Sequence, residues 1–135
     1  MKICLDTDMA VDYLRDNHPM SDVVQHWFDT ANVYLTCISS FELYHGAFYS
    51  RCVEDSIEEV EIFINNLEGI LLFTKNSSRI AGKIMSKLRR EQKSIEIRDL
   101  FIGAICIEND VPLITRNISH FERLKNLKIV EGTNL

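Results

Sequence analysis

Three acidic residues and one asparagine stand at the ends of separate apolar segments or at the start of a helical one: Asp6, Glu42, Asp99 and Asn117. Carboxylate and amide oxygens without a nearby thiolate form a hard site that prefers Mg²⁺ or Mn²⁺ to zinc. Such ions orient a water molecule, lower its pKa and stabilise charge on a leaving oxygen. The chemistry to expect is metal-dependent cleavage of a phosphate ester.

Two of these residues also have a purely structural interpretation. The run Ser39-Ser40-Phe41-Glu42 fits a capping box, in which Glu42 reaches back to the helix start. Asp99 falls in a predicted first helical turn, where the helix dipole alone favours an acid. Singly, each acid is therefore explained by local structure, and only their convergence would indicate a cation site.

The aspartates near the N-terminus also differ in whether local structure explains them. Asp8 lies in a predicted first turn, and Asp12 and Asp16 continue its helix face at intervals of four residues, which predicts a solvent-exposed stripe. Asp6 ends an apolar strand and has no predicted capping role. It is the strongest single candidate for a functional carboxylate.

Short apolar runs rich in β-branched residues alternate with segments of helical periodicity. The predicted strands cover residues 2–5, 33–37, 70–73, 112–115 and 127–130. The predicted helices cover residues 7–17, 22–30, 39–51, 55–67, 77–92 and 98–109, followed by a short turn capped by Asn117. Several strands are apolar at consecutive positions, so we expect a parallel sheet covered by helices on both faces.

This alternation predicts where the candidate residues meet. In an open α/β sheet, ligands bind at the carboxyl ends of the strands, and the helices begin at that edge. Asp6 and Asn117 follow strands, and Glu42 and Asp99 lie in predicted first turns. All four are therefore expected at one edge of the sheet.

The composition sets further limits. The chain has 135 residues and a formal net charge of −5, which argues against sequence-independent coating of nucleic acid. Its four cysteines form no C-x-x-C pair and are interpreted as buried thiols of a reduced protein. With no signal peptide and no apolar run long enough to span a bilayer, a cytoplasmic location is expected.

Four segments carry a resemblance to the PIN-domain family, and within it to the VapC-type ribonuclease toxins: ICLDTDMAVDYL, ISSFELYHGAF, EIRDLFIGAICIENDVPLITRNISHF and LKIV. The resemblance covers nearly the whole chain. It implies a single PIN domain over residues 1–135, with a three-layer α/β/α sandwich and a five-stranded, mostly parallel sheet. It also implies a metal-dependent endoribonuclease that acts as the toxin of a toxin–antitoxin pair.

The same resemblance assigns roles to the candidate residues. Asp6, Glu42 and Asp99 would bind Mg²⁺ or Mn²⁺ and activate water for RNA cleavage. Asn117 occupies a fourth position, where many family members carry aspartate and others asparagine; whether it ligates an ion stays open. Thr115 would be a supporting hydroxyl or simply the end of a strand.

The resemblance also implies partners, namely RNA, a second copy of the chain and a cognate antitoxin that inserts a peptide into the acidic site. Candidates for guiding RNA are the basic residues Arg98, Arg116, Lys87, Arg89 and Arg90. For the last three, a solvated helix end favoured by the dipole is an equal alternative. Candidates for the antitoxin surface are Tyr44, Phe48 and Tyr49, although such aromatics are more often core.

Three other functions are alternatives to this one. The start Asp6-Thr7-Asp8 fits a haloacid-dehalogenase-like phosphatase, but Ala10 and the run TRN stand where that family has other residues. A receiver-like phosphoacceptor domain requires an aspartate after the third strand and a lysine after the fifth, and this sequence has neither. A PIN domain that is catalytically weak and acts only as a binding module remains the main alternative.

Overall fold

The computed structural model describes residues 1–132, and the last three residues of the predicted domain lie outside that range. Within residues 1–132 one sheet contains five strands: β1 (Lys2–Leu5), β2 (Asn32–Thr36), β3 (Gly69–Leu71), β4 (Leu113–Thr115) and β5 (Ile129–Glu131). All neighbours are parallel, in the order β3-β2-β1-β4-β5. The five predicted strands are confirmed, with ends shifted by up to two residues.

In the described part of the chain seven helices connect the strands: α1 (Thr7–Leu14), α2 (Met20–Thr30), α3 (Cys37–Phe48), α4 (Val53–Asn65), α5 (Lys75–Arg90), α6 (Ile97–Asn109) and α7 (Ile118–Phe121). Each helix overlaps a predicted one. The α/β alternation that the apolar pattern predicted is therefore correct.

The sheet is buried on both faces, as the continuous apolar runs predicted. Ile3, Leu5 and Ile114 pack into a cluster with side chains of α1, α2, α3 and α4. Cys4 and Leu113 point to the other face and pack with side chains of α6 and α7. The α5 helix covers α6 through a third, smaller cluster. This arrangement is the predicted three-layer α/β/α sandwich.

The start of α3 differs from the prediction. Thr36, the last residue of β2, is the N-cap, and its hydroxyl accepts a hydrogen bond from the Ser39 amide at 3.1 Å. Because the strand passes into the helix without a loop, α3 begins at Cys37, and Glu42 lies in its second turn. The predicted capping box between Ser39 and Glu42 and the first-turn position of Glu42 are wrong.

The start of α1 also differs. Asp6, not Thr7, is the N-cap, and its Oδ1 accepts a hydrogen bond from the Thr7 amide at 2.8 Å. The helix ends at Leu14, before the predicted end. Asp12 was predicted on a solvated stripe but is 5% exposed. The reason is an ion pair with an arginine at the end of β4, described below.

The four cysteines are free, but only Cys4 and Cys106 are buried. Cys37 is half-buried, and Cys52 is exposed just before α4, so the prediction of four buried thiols is wrong for these two. Within residues 1–132 no helix is both long and apolar enough to cross a membrane.

Candidate active site

The candidate residues lie where the strand order reverses. From β1 the chain moves to β2 on one side, and β4 later pairs with β1 on the other side. Open sheets bind ligands at the carboxyl ends of the strands beside such a switch point. Here the Thr115 hydroxyl at the end of β4 donates to Asp6 Oδ2 at 2.8 Å and accepts from the Asn117 amide at 3.0 Å. The ends of β1 and β4 are thus joined through side chains.

Asp6 is a buried carboxyl, 5% exposed. Burial, and after it the nearby Asp8 carboxylate, raise its pKa to about 7, although the hydrogen bond from Thr115 lowers it. Among residues 1–132 Asp6 has no ion-pair partner. Its charged form is therefore held at this edge without a compensating side-chain cation.

Asp8 lies beside Asp6 and is held from the end of β4. Its Oδ2 accepts hydrogen bonds from the Asn117 side-chain amide and from Arg116 Nε, the latter at 3.2 Å. Arg116 also places Nη1 2.9 Å from Asp12 Oδ2, which explains the burial of Asp12. The other Asp8 oxygen, Oδ1, is buried and has no hydrogen-bond partner within the described part of the chain.

Glu42 approaches the same edge from α3. Its Oε1 accepts a hydrogen bond from the Thr7 hydroxyl at 2.8 Å, and that hydroxyl also lies 2.8 Å from Ser39 Oγ. Its Oε2 lies 2.8 Å from Arg98 Nη1. The carboxylate of Glu42 is thus held in place by α1 on one side and by α6 on the other.

Asp99 lies in the first turn of α6 and is 6% exposed. Burial raises its pKa, whereas Arg98 and His120 lower it. Arg98 Nε is 3.9 Å from Asp99 Oδ1, and His120 Nδ1 is 3.3 Å from Oδ2. Asp99 is therefore partly neutralised, but its arginine contact is longer than the one made by Glu42.

The donor chemistry of this edge fits a hard divalent cation. Its acidic oxygens are of the kind that Mg²⁺ and Mn²⁺ prefer, Asp8 Oδ1 is a buried acceptor without a donor, and Asp6 lacks a cation. As the side chains stand, however, no three acidic, histidine or cysteine side chains among residues 1–132 surround one point closely enough to hold an ion. The ligand set Asp6, Glu42 and Asp99 therefore stays a prediction.

The PIN-domain family model matches residues 3–127 of the chain. The chain belongs to the PIN-domain family. That range includes every candidate residue, from Asp6 to Asn117.

Relatives and solved structures narrow the resemblance. The chain is 27% identical over 131 residues to "Ribonuclease VapC1" of Haemophilus influenzae (strain R2866), which covers 96% of each chain. It is 26% identical over 129 residues to "tRNA(fMet)-specific endonuclease VapC" of Salmonella typhimurium, again with 96% of each covered. It superposes on VapBC-1 from nontypeable Haemophilus influenzae with a TM-score of 0.87 at 26% identity, covering 99% of this chain and 100% of that one.

These comparisons confirm the predicted resemblance to VapC-type PIN domains and leave the phosphatase and receiver interpretations without support. The structure brings Asp6, Thr115 and Asn117 together and brings Arg98 to both Glu42 and Asp99. The individual roles of these residues stay predictions.

Four residues at this edge were not predicted as part of the site. They are Asp8, which had been explained by the helix dipole, and Thr7, Ser39 and His120. The D-x-D spacing at the end of β1 was a usable signal for Asp8. The contacts of the other three join α1 to α3 and α7 to α6, so no local sequence pattern indicates them.

Proposed function

We propose that this PIN domain is a metal-dependent endoribonuclease that hydrolyses RNA phosphodiester bonds and acts as the toxin of a toxin–antitoxin pair. Family membership supports a nuclease, and the names of the VapC relatives support RNA as the substrate. Their solved counterparts are VapBC toxin–antitoxin complexes, which supports an antitoxin partner.

The observation that carries the proposal is the state of Asp6. A buried carboxyl with a raised pKa, a second carboxylate beside it and no cation partner in the described residues is costly for folding alone. Such an arrangement is typical of a site whose charge is balanced by a bound ion. The position at the switch point of the sheet is where such an ion would meet a substrate.

We assign Asp6, Glu42 and Asp99 as ligands of Mg²⁺ or Mn²⁺. When bound, the ion supplies Lewis acidity, which lowers the pKa of a water molecule and stabilises charge on the leaving oxygen. Thr115 fixes the orientation of Asp6, because its hydroxyl donates to Oδ2 at 2.8 Å. Asn117 holds Asp8 through its side-chain amide, which leaves its amide oxygen as a further acceptor toward the ion or its water.

Arg98 and Arg116 were predicted to guide RNA. In the structure both are engaged with carboxylates, Arg98 with Glu42 and Arg116 with Asp8 and Asp12. We therefore propose that these two arginines first balance the acidic edge. Contact between either guanidinium and an RNA phosphate remains a proposal.

The proposal includes four further points. The domain extends over the whole of residues 1–135, it works in the cytoplasm, it forms a homodimer, and a cognate antitoxin peptide covers the acidic edge. The family model supports the first point over residues 3–127. A catalytically weak domain that only binds its partner is the alternative that the experiment below must separate.

The test compares wild-type protein with Asp6→Asn on a mixed RNA pool, with Mg²⁺, with Mn²⁺ and with chelator. Asp16→Asn is the matched control, because this substitution removes the same charge from an exposed residue just after α1. We expect metal-dependent cleavage by wild type and by the control, and a loss of at least about a hundredfold in Asp6→Asn.

A second readout does not depend on activity. Saturating Mg²⁺ should stabilise wild type and the control against unfolding, by about 1.4 kcal/mol at ten times the dissociation constant. Asp6→Asn should lose most of that shift. Cleavage that survives chelation, or a folded wild type that cuts no RNA and gains no stability from the ion, would contradict the proposal.

A further inference from the structure

The exposed face of α5 carries a row of cations. Arg79, Lys83 and Lys87 follow one another at intervals of four residues, and all three are exposed. Residues at this spacing are neighbours on a helix surface, and like charges so placed destabilise the helix. The row is therefore a cost to the fold for which the packing of α5 gives no reason.

A fourth cation faces this row from another part of the chain. Lys125, in the segment after α7, lines with Lys83 and Lys87 a cavity of about 380 Å³. A neighbouring cavity of about 720 Å³ is lined by Arg79 and shares Lys83 with the first. Apolar side chains of α5 and α6 form the wall between the cations: Ile80, Ile84, Leu88 and Ile107. We call this surface the basic groove and define it by its four cations.

The carboxylates that line the basic groove are engaged elsewhere. Glu91 pairs with Lys93 at 3.4 Å, and Glu108 accepts hydrogen bonds from the Thr74 hydroxyl at 2.7 and 2.8 Å. Within residues 1–132 none of the four groove cations has a carboxylate partner within 4 Å. In a chain of net charge −5, four unpaired cations around one groove form a local positive surface that can attract a polyanion.

The segment after α7 joins the basic groove to the acidic edge. A third cavity, of about 330 Å³, is lined by Asp99, His120 and Arg123. Arg123 and Lys125 flank Leu124, which is buried against α6 where Gly103 leaves room for it. The segment after α7 therefore contributes one cation to the cavity at Asp99 and the next to the basic groove.

Without its ion the acidic edge repels a polyanion, because its carboxylates and the phosphates carry the same charge, and a bound ion offsets this only at the cleavage site. A nuclease with such a site must gain its attraction for RNA from cations placed at a distance. Lys83, Lys87 and Lys125 meet this condition, since the groove wall at Ile107 lies about 12 Å along α6 from Asp99.

We propose that the basic groove binds the phosphate backbone of a single-stranded RNA segment that extends from the cleavage site past Arg123. This inference rests on the proposed ribonuclease function and adds the position of the distal part of the substrate. Contacts of this kind are independent of sequence, depend on salt and matter only for an RNA long enough to reach from Asp99 to Lys87.

The test uses the double variant Lys87→Gln/Lys125→Gln in the full chain. The matched control is Lys2→Gln/Arg51→Gln, which removes the same charge from two exposed residues that line neither cavity of the groove. Binding is measured on an Asp6→Asn background with random single-stranded RNA of about 4 and about 16 nucleotides. Cleavage of the same two lengths is measured with Asp6 intact.

For the longer RNA we expect the groove variant to bind about two- to thirtyfold more weakly than the control. The slope of log K against log salt should fall by about 1.4, because two phosphate contacts are lost. Binding and cleavage of the shorter RNA should be equal in both variants.

If the groove variant and the control bind the longer RNA equally, and the wild-type protein cleaves RNA, the inference that the groove binds RNA is wrong. The proposed function is then unaffected. Absence of cleavage by wild type would instead contradict the proposed function. Unchanged binding of RNA with weakened binding of an acidic peptide, such as polyglutamate, would assign the groove to a protein partner and also overturn the inference.

Discussion

The acidic edge contains two arginines that each lie within 4 Å of more than one carboxylate, and the two arrangements differ. Arg116 lies 3.2 Å from Asp8 and 2.9 Å from Asp12. Arg98 lies 2.8 Å from Glu42 but 3.9 Å from Asp99. The Arg116 side is closed by two short contacts, whereas on the Arg98 side Asp99 has a long arginine contact and a 3.3 Å contact with His120.

Asp6 lies at the same edge and has no ion pair in the described residues. The comparison indicates that the Arg116 side is mainly structural, since it places a cation beside an acid that is 5% exposed. On the Arg98 side, an incoming metal ion competes with a longer arginine contact for the carboxylate of Asp99. Asp6 is the residue whose charge neither arginine balances.

The largest effect is expected at Asp6. Its pKa is raised in the folded state from 3.8 to about 7, so the folded protein holds this proton more tightly than the unfolded chain. Stability from this group is present below pH 4 and is lost as pH rises through 7, by up to about 4 kcal/mol without metal. Asp6→Asn should abolish that loss, which urea unfolding in chelator between pH 4 and pH 8 would measure.

The control here is Asp55→Asn, at an exposed residue of α4 that has no ion pair within residues 1–132, and it should unfold with the pH dependence of wild type. If Asp6→Asn and wild type show parallel curves across this range, Asp6 is not an unbalanced buried acid. Asp6 would then not differ from the carboxylates that the two arginines hold.

A smaller effect is expected when Arg116 is replaced. Arg116→Gln leaves the buried Asp12 without its cation and should lower the free energy of unfolding by about 1–3 kcal/mol. This is less than the cost of breaking a fully buried ion pair, because Arg116 is 43% exposed. Urea unfolding at neutral pH measures it. A cost no greater than that of Arg98→Gln would remove the contrast between the two sides.

The smallest effect is expected for Arg98→Gln. Arg98 is 54% exposed, so its removal should cost less than about 1 kcal/mol. Because Arg98 lowers the pKa of Asp99 against the effect of burial, the substitution should raise that pKa further. Carboxyl titration by NMR in chelator would test this, and an unchanged Asp99 pKa would show that the 3.9 Å contact carries no interaction.

Several features could be predicted from the sequence because they depend on local pattern. Continuous apolar runs predicted the five strands, and the rule for strand ends predicted that Asp6 and Asn117 lie at one edge. The contact through Thr115 joins them there. Segment similarity indicated the PIN-domain family, which the family match confirms.

Other features were missed because they depend on distant contacts. The helix position of Glu42 was wrong, since a strand residue, Thr36, caps α3. Asp12 was expected in solvent, because nothing near it in sequence shows that Arg116 packs against it from β4. Cys52 was expected in the core but lies exposed before α4.

The sequence by itself determined the order of strands and helices, the fold class and the types of residue available for chemistry, because apolar periodicity and residue chemistry are local properties. Only the tertiary structure decided which carboxylates are paired and which one, Asp6, is left without a cation. It also decided that Lys125 faces Lys83 and Lys87 across a groove. Charge balance depends on distances between segments far apart in the chain, and folding alone fixes those distances.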